Sequence, residues 1–162
     1  RRRLGEVDAV SVPLAWRIAT APRADLDARA TLRAALWPDA TAAAHRAELD
    51  APDGDDAVAF LAFHDTGAAI GLAEATLRHG YVNGTDSSPV GFLEGWYVEP
   101  AWRGHGVGRA LVQAVVDWTR AQGCSELASD TALDNTGSQA AHVACGFEET
   151  ERVVYFRRRL ET

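Results

Sequence analysis

The segment Arg103-Gly104-His105-Gly106-Val107-Gly108-Arg109 carries the clearest chemistry in the sequence. Its glycines have no Cβ, so the main chain can curl and approach an anion closely. A β-like run, Phe92–Val98, precedes it, and a helical run, Ala110–Gln122, follows. The start of such a helix offers unpaired N–H groups and the positive end of its dipole. Arg103 and Arg109 add cationic donors at either end of the loop. Together these features predict a site for a pyrophosphate-bearing ligand.

Three nucleotide-type patterns compete for that loop. A Walker A loop ends in Gly-Lys-Ser/Thr, and the chain contains no lysine. A dinucleotide fingerprint requires Gly-x-Gly-x-x-Gly directly after a strand, with an acidic residue about 20 positions on to hold a ribose. The glycines from Gly104 lack that spacing, and the strand ends at Val98-Glu99-Pro100, before the loop begins. The third pattern, Arg-x-x-Gly-x-Gly, is filled by Arg103, Gly106 and Gly108. Taken alone, the loop also fits a plain strand–helix connection. A second signature follows it: Asn135 opens a short helical run that closes on Gly146-Phe147. Asn135 can cap that helix or hydrogen-bond a ligand, and Gly146 suits a left-handed helix end.

These two signatures, in this order, resemble those of the GCN5-related N-acetyltransferases (GNAT), whose loop binds acyl-CoA. The segments Leu36-Trp37-Pro38, Tyr81-Val82-Asn83-Gly84, Phe92-Leu93-Glu94-Gly95, Ala128-Ser129-Asp130 and Gly146-Phe147-Glu148-Glu149 narrow the likeness. They resemble the chromosomal-type aminoglycoside 6′-N-acetyltransferases, over a stretch from about Trp16 to Arg159. The resemblance implies a fold, a ligand pair and a set of residues. The fold is a mixed α/β (α+β) GNAT domain, with a mostly antiparallel sheet flanked by helices and a β-bulge splay near Gly95. Acetyl-CoA is the implied cosubstrate, held by Trp96, Tyr97, Val98, Arg103, Gly104, His105, Gly106, Val107, Gly108, Arg109 and Asn135. Trp37, Tyr81, Glu94, Asp130 and Glu151 fall at positions that bind the cationic aminoglycoside. Glu94 or Asp130 could accept a proton, directly or through water. His142 stands where many relatives carry a tyrosine proton donor, and a charged imidazole can fill that role. The resemblance also implies a homodimer.

Composition bounds the rest. At 162 residues the chain is one domain by size and large enough for a single core. Residues 1–15 read as an N-terminal extension of processed, truncated or vector origin and poor order, because Met is absent even at position 1; residues 16–162 read as the domain. A net charge of −7 argues against nucleic acid or anionic membrane and favours a cationic partner. No apolar run approaches the ~20 residues of a membrane span. Two cysteines, Cys124 and Cys145, fall short of a disulfide framework and fit a reduced, cytoplasmic setting. Neither has a recognisable base partner, so nothing points to a covalent acetyl-enzyme. The five histidines show no metal-ligand spacing, and no metal is expected. The acidic run Glu48, Asp50, Asp53, Asp55 and Asp56 reads either as a solvated loop or as a negative rim that attracts a polycation.

The elements that must position these residues follow from periodicity and turn chemistry. Arg17–Thr20 is a candidate first strand. Helices are predicted over Leu26–Leu36 and Thr41–Asp50, and strands over Ala57–Phe63, Ala69–Arg78 and Val90–Val98. Apolar spacing at Val107, Leu111, Val115 and Trp118 gives the next helix one buried face, and Gly123 ends it. Leu127–Ser129 is a short strand, Ser138–Ala144 a short helix, and Val153–Phe156 a last strand. The expected activity is direct acetyl transfer to an aminoglycoside 6′-amine, which confers resistance to these antibiotics. The alternatives are acetylation of a polyamine or protein amine, and a non-catalytic acyl-CoA sensor.

Overall fold

The computed structural model describes residues 15–21 and 23–161. The expected N-terminal extension falls almost wholly outside them. In chain order the elements are β1 (Trp16–Thr20), α1 (Leu26–Leu36), α2 (Ala42–Glu48), β2 (Ala57–His64), β3 (Ala69–Arg78), β4 (Val90–Val98), α3 (Val107–Ala121), β5 (Leu127–Ser129) and α4 (Thr136–Ala144). The strands form one five-stranded sheet in sequence order. Pairing is antiparallel from β1 to β4 and parallel between β4 and β5.

The central strands β2 and β3 are almost continuously apolar because helices cover both faces of the sheet. On one face, α3 buries Val107, Leu111, Val112 and Val115 against Ala62, Ile70, Ala73, Ala75 and Leu93. Gly71 lets this helix approach, since a Cβ there would stand 3.0 Å from Leu111 Cδ1. On the other face, Leu32 of α1 packs on Leu61, Phe63 and Leu72. An ionic network completes that contact. Arg29 donates to Glu74 Oε1 at 2.6 Å and Arg33 donates to Glu74 Oε2 at 3.0 Å, with Arg29 and Glu74 both buried. Thr41 caps α2 by accepting from Ala44 N–H at 3.1 Å.

The acidic run after α2 is largely ion-paired rather than a free negative rim. Glu48 pairs with Arg33, Asp53 with Arg29 and Asp50 with Arg46, while Asp56 lies within hydrogen-bond distance of His79.

The expected bulge near Gly95 is present, at the neighbouring Glu94: Ala75 faces Leu93 and Glu74 faces Gly95, so the register skips Glu94. One expectation changes. The last strand over Val153–Phe156 does not form. Residues 148–161 run without helix or strand and leave Val154, Tyr155, Phe156 and Leu160 exposed. A strand exists only when another edge takes its N–H and C=O groups, and among the described residues no strand pairs with that segment.

Candidate active site

Two features of β4 create a fork in the sheet. Pairing with β5 stops at Leu93–Ser129, whereas pairing with β3 continues from Gly95 to Val98. Beyond Leu93 the β5-side edge of β4 is therefore open, and its alternate backbone N–H groups are available to a ligand. Trp96, Tyr97 and Val98 stand on this open stretch.

The glycine loop closes the fork at the start of α3. Gly104 and Gly106 adopt φ of 79° and 85°, left-handed values that a side chain would resist. Gly106 is the helix N-cap and has no side chain to satisfy the amides that follow. The first amide to find an acceptor within the helix is that of Ala110, which donates to Gly106 O at 3.0 Å. The amides of Val107, Gly108 and Arg109 thus face outward at the positive end of the helix. Gly108 has another role: a Cβ there would lie 3.1 Å from Trp96 Cζ2, so the third glycine lets α3 sit against the indole. Trp96 Nε1 beside it is buried without a hydrogen-bond partner. Arg103 folds back, donating to Val98 O at 2.9 Å and lying over the Tyr97 ring. His105 stacks edgewise near Trp102, and burial pushes the Cys145 thiol up against the opposing charge of Arg109. A loop of outward amides beside an open strand edge fits the pyrophosphate and pantetheine arm of acetyl-CoA.

A cleft opens beside the fork. Tyr81, Asp130 and Glu151 all line it, together with Arg78, Phe92, Asn83 and Ser129. The structure therefore brings together three of the five residues expected at the acceptor side. Glu94 is engaged at its edge, where Arg78 Nη2 donates to Oε2 at 2.8 Å and Thr76 donates to Oε1 at 2.6 Å. Arg78, which the sequence reading missed, also lies flat on Phe92 with its guanidinium 3.4 Å from the ring centroid. Trp37 approaches β4 from the α1 face and fills the space that a side chain at Gly95 would take. Arg33 lies over its ring, and His45 bonds its carbonyl at 3.3 Å.

Asn135 accepts from Ser138 N–H at 3.0 Å, so its carbonyl oxygen caps α4. His142, on the same helix, points back toward the fork. Its Nε2 lies 2.9 Å from Ser129 Oγ, and its ring is flanked by Trp96 and Phe147. Sequence reasoning missed Ser129 as a participant, because it requires knowing that β5 and α4 pack together. Among the described residues no cluster of His, Cys, Asp or Glu could hold a metal ion, and no helix is long and apolar enough to cross a membrane.

Known proteins share this architecture. A family model described as the Acetyltransferase (GNAT) family matches residues 25–147. The aminoglycoside N(6′)-acetyltransferase type 1 of Stenotrophomonas maltophilia is 58% identical over 144 residues, covering 89% of this chain and 94% of that protein. Its namesake from Salmonella typhimurium is 49% identical over 85% of this chain and 94% of its own length. Among solved structures, AAC(6′)-Iy in complex with the bisubstrate analogue CoA-S-monomethyl-acetylneamine superposes with a TM-score of 0.84 at 46% identity, covering 90% of this chain and 99% of that one.

Proposed function

The chain belongs to the GNAT acetyltransferase family, and from that premise we propose that it transfers the acetyl group of acetyl-CoA to the 6′-amine of aminoglycoside antibiotics. The carrying observation is the meeting of an anion-binding helix start, an open strand edge and an acidic, aromatic cleft at one fork. The identities of 43–58% to proteins named for this activity support the same acceptor.

When bound, acetyl-CoA supplies the thioester that donates the acetyl group. The amides of Val107–Arg109 and the loop Arg103–Gly106 take the pyrophosphate, and the open edge of Trp96–Val98 takes the pantetheine arm and polarises the thioester carbonyl. Asn135 braces α4 beside it. Asp130 and Glu151 hold ammonium groups of the acceptor, and Tyr81 covers a sugar ring. Glu94 is already neutralised by Arg78, so it orders the cleft wall more than it carries free charge. Trp37 sets the floor behind Gly95. Proton transfer falls to Asp130, Glu94 or His142. Acetylation removes a positive charge and a hydrogen-bond donor from the antibiotic, which weakens its grip on ribosomal RNA and confers resistance.

The finer readings are a single domain over residues 16–162, a homodimer and a cytoplasmic location. The exposed apolar end of the chain supports the dimer, and two free thiols support the reducing compartment. An acetylation assay with kanamycin, spermidine and a peptide amine, with the product mapped by NMR, tests the acceptor. Acetyl on the 6′-nitrogen of kanamycin is expected. Turnover of the peptide or spermidine without kanamycin would overturn the assignment.

A further inference from the structure

Ser129 ends β5 at the point where the sheet forks, and its side chain lines the acceptor cleft. The hydroxyl has two acceptors in reach: His142 Nε2 at 2.9 Å and Leu93 O at 3.2 Å. The other ring nitrogen, Nδ1, lies 2.7 Å from Ser138 O, a carbonyl that can only accept, and farther, at 3.3 Å, from Ser138 Oγ. Nδ1 therefore carries a hydrogen, and in the neutral ring Nε2 is bare. The Ser129 hydroxyl then donates to Nε2. When the ring is charged, Nε2–H donates to Ser129 Oγ, and the hydroxyl turns to Leu93 O. Both charge states thus find every polar group paired, and a single hydroxyl rotation separates them.

We propose that Ser129 and His142 form a proton relay that carries the proton shed by the acceptor amine to the departing sulfur. The inference rests on the acetyl-transfer reading above. The amine nitrogen bonds to the thioester carbonyl carbon, and the C–S bond breaks with its electron pair left on sulfur. The amine loses one proton to Ser129 Oγ as the hydroxyl proton passes to Nε2 of His142. The imidazolium returns one proton to the thiolate and regains its starting tautomer. The net change is one proton moved from nitrogen to sulfur, so the relay is reset after each turnover. The reacting amine enters the relay neutral, its ammonium proton already lost to solvent, and Asp130, the next residue, holds a neighbouring ammonium group of the acceptor rather than receiving the relayed proton.

Two measurements test the relay. In the ligand-free protein, long-range 15N–1H spectra of labelled histidine should show His142 protonated at Nδ1 and bare at Nε2, and Ser129→Ala should move the Nε2 resonance. In turnover, Ser129→Ala should lower kcat by about tenfold or more, while the kanamycin KM and the CoA Kd by calorimetry stay within about twofold. Ser129→Thr, which keeps the hydroxyl, should recover most of kcat. Loss of activity in His142→Ala should be partly restored by added imidazole, and His142→Gln provides a second variant if the first fails to fold. Wild-type kcat in Ser129→Ala, or an Nε2–H tautomer in the wild type, would overturn the relay. Wild-type enzyme that acetylates a peptide amine but no aminoglycoside would instead overturn the acceptor assignment, and the tautomer and variant tests would still judge the relay with that amine.

Discussion

Asp130 and Gly95 show how single positions divide the work between charge and shape. Asp130 is exposed at the end of β5 and shares the cleft with Tyr81 and Glu151. Among the described residues no cation is bonded to Asp130 or to Glu151, whereas Glu94 is held by Arg78. Asp130 is therefore a cleft carboxylate free to meet an ammonium group. Replacing it with Asn should reduce kcat/KM for an aminoglycoside by about tenfold or more, roughly 1.4 kcal/mol. CoA affinity by calorimetry should not change. Gly95 acts through space alone. A Cβ there would stand 2.5 Å from Trp37 Cη2 and 3.0 Å from Leu36 Cδ2. The Leu36 methyl can shift, but the indole is rigid and has the Arg33 guanidinium over its ring. Gly95→Ala should cost about 1–3 kcal/mol in denaturant unfolding and raise the aminoglycoside KM, because the indole must move off β4.

At the scale of elements, α1 is fixed to the sheet by charge as much as by apolar contact. Glu74 accepts from Arg29 and Arg33 while Arg29 also reaches Asp53 at 2.6 Å. The hydrogen bond from Arg29 holds the Asp53 carboxyl below its ordinary range, against a smaller opposing effect of burial. A carboxyl lowered on folding adds stability that is present above its unfolded pKa and is lost as pH falls through its folded pKa. Asp53→Asn should therefore melt a few degrees below wild type at neutral pH, and the gap should close in acid below the ordinary carboxylate range, as thermal scans across pH would show. Glu74→Ala leaves Arg29 buried with one partner gone and should cost about 3 kcal/mol. None of this network was legible in the sequence, because Arg29 and Glu74 lie 45 residues apart and an ion pair leaves no periodic trace. The bounds of α1, β3, β4 and β5 were legible, since apolar spacing and flanking turn residues are local signals. The same holds for the loop at Gly104 and Gly106, where only glycine suits the backbone. The Ser129–His142 contact and the clamp of Arg78 on Glu94 depend on which elements become neighbours, and no local pattern states that.

For the whole molecule, the unformed last strand is the main departure from the sequence reading. The β-branched and aromatic run Val153–Phe156 is strongly β-prone, yet the segment is unpaired with the sheet, with Tyr155 81% and Phe156 93% exposed. A contiguous apolar surface of this kind is a mark of association. The outer edge of the short strand β5 remains unpaired and offers backbone groups for another strand. Pairing with a second copy would satisfy both surfaces at once. It would also bear on the acceptor cleft, whose wall includes Glu151, Val153 and Tyr155 from this segment. Sedimentation velocity should accordingly show a dimer for the wild-type chain. Val154→Asp combined with Phe156→Asp should give a monomer that keeps CoA affinity, because the glycine loop and the start of α3 lie on other elements. Its aminoglycoside KM should rise by about tenfold, roughly 1.4 kcal/mol, since the cleft would lose an ordered wall. A wild-type chain that sediments as a monomer, or a double variant with unchanged KM, would separate the terminal segment from both assembly and substrate binding.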